Sequence, residues 1–163
     1  MQLRSMAAGL AVLTALVSTP SLAGEDGIAV SAPFARETPP NARVGGVYMT
    51  LTNHGPVTRL IGVRSDAAKK AEIHTHSMDA AGVMRMHEVE DGVPLGQGET
   101  VAFAPGGFHI MLMGLVAPLR RGAVVPLTLE FADGSTVEVA APVESIAARG
   151  PMTHDHGSKA HDH

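Results

Sequence analysis

The chain has 163 residues, with 12 Lys and Arg against 16 Asp and Glu, a formal net charge of −4, and neither cysteine nor tryptophan. This length suits a single domain, and an acidic chain without a basic patch gives no support to nucleic-acid binding. Without cysteine, the chain can form neither disulfides nor a thiolate metal site. Its unusual feature is its content of nine His and nine Met.

The first 23 residues have the features of a Sec-type signal peptide. Arg4 provides the basic region, Met6 to Val17 the apolar region, and a small-x-small cleavage signal ends at Ala23. The apolar run is too short to span a bilayer, and no other segment is long and apolar enough to do so. We therefore expect an exported, periplasmic protein without stable membrane insertion, whose domain spans residues 24–146.

The middle of the sequence predicts an all-β sandwich or barrel. Gly and Pro recur at roughly eight- to twelve-residue intervals, and β-branched residues and alternation dominate between them. Asp91–Glu99 and Arg36–Gly46 are predicted loops, and Ala132–Ser135 is predicted to close a hairpin. The predicted strands are Ile28–Ala32, Gly46–Asn53, Thr58–Arg64, Ala71–Met78, Val83–Val89, Glu99–Phe103, Phe108–Met113, Val124–Phe131 and Thr136–Val143.

Three of these strands concentrate histidine and methionine. Residues two apart in a strand share a face, so each strand can present its donors together. The residues that share a face in this way are His74, His76 and Met78, then Met84 and Met86, and finally His109, Met111 and Met113. Phe108, Ile110 and Leu112 alternate with the last group and are predicted to face the core.

This combination of donors favours a soft metal ion. Thioether sulfur is neutral and polarisable and binds hard ions poorly, whereas Met beside His suits Cu(I). A blue-copper electron-transfer site would need a cysteine, which argues against a redox cupredoxin. On spacing alone the alternative stays open that the methionines fill the core and the histidines are structural.

The last residues, 147–163, are polar and of low complexity, and we expect a flexible tail. Its four histidines could bind Cu(II), Ni(II) or Zn(II). They are His154, His156, His161 and His163. A purification tag is the alternative, but these histidines alternate with other residues, including Asp, rather than forming an uninterrupted run. A native metal-binding tail is therefore predicted.

The segments EIHTHSMDAAGVMRMHEV and PGGFHIMLMGL resemble the periplasmic copper chaperones of the PCu(A)C type. GGVYMTLTNHG and the final hairpin extend the resemblance to about residues 27–143. It implies a cupredoxin-like Greek-key β-barrel or sandwich that binds Cu(I) through two His and two Met at an exposed site. It also implies delivery of copper to the CuA site of cytochrome c oxidase subunit II, with or without a Sco-type protein.

Transferred position by position, the resemblance implies four Cu(I) ligands: His74, Met86, His109 and Met111. The intervals from the first His to the Met, and from that Met to the second His, are each one residue longer than is usual in the family. Met84 is therefore an alternative to Met86. His76 and Met113 are auxiliary donors, and the resemblance associates the His-rich tail with Cu(II).

The implied function is that of a copper chaperone, not an enzyme, acting as a monomer or a copper-bridged dimer. A periplasmic copper storage or resistance protein without a specific oxidase partner is the alternative. A copper enzyme and a β-sandwich with incidental His and Met are further possibilities.

Overall fold

The computed structural model describes residues 27–145; the predicted signal peptide and His-rich tail lie outside them. The described residues form ten β-strands and no helix. The strands are β1 Ile28–Arg36, β2 Val44–Asn53, β3 Thr58–Arg64, β4 Ala68–Met78, β5 Met84–Glu88, β6 Val93–Leu95, β7 Thr100–Phe103, β8 His109–Leu115, β9 Val124–Phe131 and β10 Thr136–Glu144. The all-β prediction is confirmed, and no helix in this range could span a membrane.

The strands follow one hydrogen-bonded path in the order β5-β4-β8-β2-β1-β10-β9-β3-β6, with β7 paired to β2. All pairs within this path are antiparallel except β1 and β10, which meet in parallel through Ala35 and Val143. β8 and β7 pair with successive halves of β2. This order places β8 beside β4, although the two are far apart in sequence, and places β5, the strand directly after β4 in the chain, on the other side of β4.

Two predictions, one about a loop and one about the end of a strand, are wrong in detail. Val93–Leu95 forms a strand within the predicted loop Asp91–Glu99, because its two apolar ends are buried while Pro94 lies exposed. Proline lacks the amide donor and is tolerated on such an edge strand. β1 continues to Arg36 beyond its predicted end, because an irregularity in the register carries the strand past Ala32, whose φ is +47°.

The core is one cluster formed by the inward faces of both halves of the sheet. In β8, Ile110 and Leu112 are fully buried and Phe108, just before it, packs against the cluster, as the alternation predicted. Burial of such side chains stabilises the fold by roughly 1.5–3 kcal/mol each. The other large, fully buried apolar residues are Val47, Leu51, Leu60, Val93, Leu95, Val125, Leu127, Leu129 and Phe131.

Candidate metal centre

The predicted donors of β4, β5 and β8 lie on one face of the sheet. β4 runs between β5 and β8, and residues directly opposite each other in antiparallel strands share a face. The opposed pairs on this face are His76 with Met86, Met78 with Met84, His74 with His109, Glu72 with Met111, and Lys70 with Met113. His87 is opposite Thr75 and therefore belongs to the other face.

His109 has its two ring nitrogens in different surroundings. The residue is 5% exposed, and Nδ1 lies 3.1 Å from the carbonyl oxygen of Gly107. Nδ1–H donates to this carbonyl, which leaves the lone pair on Nε2, 3.2 Å from Sδ of Met86. Burial lowers the pKa of His109, against the opposing effect of the Gly107 hydrogen bond, so the neutral imidazole is favoured.

His74 is oriented by a buried carboxylate. Its Nε2 lies 2.8 Å from Oε2 of Glu72, which is 8% exposed and also forms an ion pair with Lys70. The hydrogen bond from His74, followed by that from Lys70, lowers the pKa of the Glu72 carboxyl. Nδ1 of His74 is buried without a hydrogen-bond partner. A histidine held by a carboxylate through one nitrogen, with the other free, has the arrangement common among metal ligands.

Glu72 is a candidate functional residue that sequence reasoning missed. The available signal was its spacing, because Glu72 lies two residues before His74 and so shares its face of the strand. The carbonyl of Gly107, which fixes the orientation of His109, was missed as well. Every residue has a backbone carbonyl, so the sequence does not indicate which carbonyl accepts a hydrogen bond from a histidine.

His76, predicted as an auxiliary donor, lies closer to His109 than does His74, a predicted ligand. Its ring stacks on that of His109 with centroids 5.1 Å apart, whereas the centroid of His74 is 5.9 Å from that of His109. Nδ1 of His76 is also buried without a partner. The structure therefore brings three imidazoles together, centred on His109.

A surface depression of about 360 Å³ opens over these side chains. Four donor residues line it: His76, Met86, His109 and Met111. Gly46, opposite Met111 in β2, has no side chain to cover the depression. His74 lies beside His109, outside this lining. The donors thus meet at the surface, where a ligand from another molecule can reach them.

The methionines on this face differ in how close they lie to His109. Met86 contacts His109, whereas Met84 lies two residues nearer the hairpin tip and is opposite Met78. The geometry thus favours Met86 over Met84. Met113 is half-buried opposite Lys70. Across residues 27–145, no group of three or more His, Asp or Glu side chains is arranged to hold a metal ion.

Comparison with known proteins identifies the class. The family model described as "Putative lipoprotein LpqE-like" matches residues 28–143. Lxx21020 from Leifsonia xyli subsp. xyli (strain CTCB07) is 36% identical over 123 residues, which cover 75% of this chain and 72% of the relative. The chain therefore belongs to the LpqE-like family, the family of PCu(A)C-type domains.

Solved structures agree with this assignment. The copper-bound PCuAC domain from PmoF2 is 27% identical, with a TM-score of 0.61 and coverage of 75% of this chain and 96% of that domain. Apo-DR1885 from Deinococcus radiodurans is 29% identical, with a TM-score of 0.58 and coverage of 89% and 97%. The predicted cupredoxin-like fold of the PCu(A)C type is confirmed.

Proposed function

We propose that this protein binds Cu(I) and delivers it as a periplasmic chaperone, and that it is not an enzyme. The proposed ligands are His74 Nδ1, Met86 Sδ, His109 Nε2 and Met111 Sδ. The observation that carries the proposal is the 3.2 Å contact between His109 Nε2 and Met86 Sδ, made while the other ring nitrogen of His109 is occupied by a backbone carbonyl. The copper-bound state of the related PmoF2 domain supports it.

The donor set selects the ion. Two neutral imidazoles and two neutral thioethers place no ligand charge beside the metal, which suits a soft monovalent cation. Because burial keeps His109 neutral, binding requires no proton to leave this residue near neutral pH. The Glu72 carboxylate and the Gly107 carbonyl oxygen can each accept a hydrogen bond only from an N–H, which in a neutral ring leaves the other nitrogen of His74 and of His109 for copper.

The open position of the site supports transfer rather than permanent retention of the metal. Met86 is 45% exposed at the edge of the depression, and Met111 is half-buried. A thiolate or imidazole of an acceptor can approach the copper from this side and displace the thioethers one at a time. Copper then passes between the proteins without entering solution as a free ion.

The proposed acceptor is the CuA site of cytochrome c oxidase subunit II, directly or together with a Sco-type protein. The family resemblance and the predicted export signal support this assignment. The test is to mix the Cu(I)-loaded protein anaerobically with the purified apo CuA domain, using a Cu(I)–chelator complex of equal affinity as the control. We expect faster transfer from the protein than from the chelator; equal rates would favour storage without a specific acceptor.

We also propose that the tail histidines, which lie outside the described residues, bind Cu(II). They are His154, His156, His161 and His163. Imidazoles on a polar segment suit Cu(II), and no soft sulfur donor is required. Replacing all four by Ala should remove a nitrogen-coordinated Cu(II) signal from the electron paramagnetic resonance spectrum. An unchanged spectrum would contradict the assignment.

Replacing Glu72 by Ala should weaken Cu(I) binding by about ten- to a hundredfold, because groups that orient a metal-binding histidine typically have effects of this size. The variant removes the carboxylate that contacts His74 Nε2 and, under the proposal, orients the ring so that Nδ1 binds copper. A chelator competition titration measures the affinity, and ¹⁵N resonances of the imidazole report the tautomer.

Glu88→Ala is the matched control. Glu88 is opposite His74 on β5 and carries the same charge on the same face, but it is exposed. This control should leave the His74 tautomer unchanged and shift the affinity by less than about threefold. Equal effects of the two variants would show that charge, not orientation of His74, determines the affinity.

A further inference from the structure

The hairpin of β4 and β5 carries two methionines that the proposed Cu(I) site does not use. Met78 and Met84 are directly opposite each other, and they are 66% and 51% exposed. Opposed side chains on one face of an antiparallel pair have Cβ atoms about 4.5–5.5 Å apart, so their sulfurs can reach one ion. Neither residue belongs to the core.

The turn between these methionines is fixed by a compact set of hydrogen bonds. Oδ1 of Asp79 accepts from the amides of Ala81 and Val83 at 3.0 Å, and its Oδ2 accepts from Nε of Arg85 at 2.8 Å. Asp79 directly follows Met78, so these contacts stabilise the turn at the point where β4 ends. The two methionines are thus held opposite each other by local structure, independently of the core.

His76 supplies a third donor next to this pair. It lies two residues before Met78 on the same face, opposite Met86. Its Nδ1 is buried and has no hydrogen-bond partner. A buried polar atom without a partner costs free energy, which a bound ligand would offset. An available imidazole nitrogen and two thioethers therefore occur together at the hairpin.

We propose a second soft-metal site formed by His76, Met78 and Met84, which takes Cu(I) and lies beside the site of the proposed function. The inference rests on that function for the identity of the ion. One nitrogen and two sulfurs are a neutral, soft donor set that favours Cu(I) over hard cations. Because its two methionines are more exposed than Met86, this outer site receives copper from solution or presents it to an acceptor.

The outer site should bind the second equivalent of Cu(I). The full chain is labelled with ¹³C at the methionine methyl groups and titrated anaerobically with Cu(I) to saturation. Single Met→Leu variants assign the signals. The Met86 and Met111 methyls should shift with the first equivalent, and those of Met78 and Met84 together with the second. Met49, which is 3% exposed in the core, is the internal reference and should not move.

The outcomes separate this proposal from the proposed function. Unshifted Met78 and Met84 signals at saturation would overturn the outer site, whatever the other methyls do. Shifts of Met78 and Met84 without those of Met86 and Met111 would support the outer site while refuting the core ligand set.

A double variant provides the second readout. Met78→Leu combined with Met84→Leu should lower the affinity for the second equivalent by at least about tenfold and leave the first within about threefold, since both residues are exposed and Leu is similar in size. Met49→Leu is the matched control, a methionine of the core that does not belong to the metal-binding face, and should change neither. Unchanged binding of the second equivalent by the double variant would overturn the proposal.

Discussion

Replacing His109 by Ala together with Met111 by Leu should lower the affinity for Cu(I) by at least about a hundredfold, or about 2.7 kcal/mol. The double variant removes one imidazole and one thioether from β8. It also removes the contact between His109 and Met86, which joins β8 to β5 across β4. Competition with a chromophoric Cu(I) chelator under anaerobic conditions measures the loss.

The control for this variant is Met113→Leu, the next methionine on the same face of β8. It should leave the affinity within about threefold, because Met113 is outside the proposed ligand set and the substitution conserves volume. Circular dichroism must show the β-structure of the double variant intact, since His109 is itself buried. An intact double variant with the affinity of the wild type would refute the assignment of both ligands.

Leu112→Ala should lower the free energy of unfolding by about 3 kcal/mol, within the range typical of a buried leucine truncated to alanine. Leu112 is fully buried in the core cluster and lies between Met111 and Met113 on the opposite face of β8. Denaturant unfolding of the metal-free protein measures the loss. At a temperature where the variant is folded, its Cu(I) affinity should remain within about threefold of the wild type.

Met111→Leu is the complementary variant, in which the neighbouring side chain on the site face of β8 is replaced. It should change the free energy of unfolding by less than about 1.5 kcal/mol, since the swap nearly conserves volume, while weakening Cu(I) binding. The two neighbours in β8 then separate stability from metal binding. If Leu112→Ala lost copper while keeping its stability, the division of β8 into a core face and a site face would be wrong.

Alternation along β8 was sufficient to predict which side chains face the core. A strand places successive side chains on opposite faces, so the pattern of Ile110 and Leu112 against His109 and Met111 could be deduced from sequence. The resemblance placed the ligand at Met86, but its altered spacing left Met84 open, and the choice between the two could not be decided from sequence. It depends on the register of β5 against β4 and on the contact with His109, both of which the turn at Asp79–Gly82 influences.

The orientation of the histidines also required the structure. Which nitrogen of His74 is available depends on the buried contact with Glu72, and that of His109 depends on a backbone carbonyl. His76 was assigned an auxiliary role because the resemblance places the first histidine ligand at His74, and spacing does not reveal that the ring of His76 stacks on His109. Strand β6 was missed for a similar reason, since three residues around a proline become a strand only where β3 offers a free edge.

X-ray absorption at the copper K-edge of the full chain, loaded with one equivalent of Cu(I), tests the ligand chemistry most directly. The proposed site predicts a reduced copper ion with about two sulfur and two nitrogen scatterers in its first shell. Both elements should be present, because His109 Nε2 and Met86 Sδ lie 3.2 Å apart and can bind the same ion. A first shell of nitrogen and oxygen alone would contradict the account.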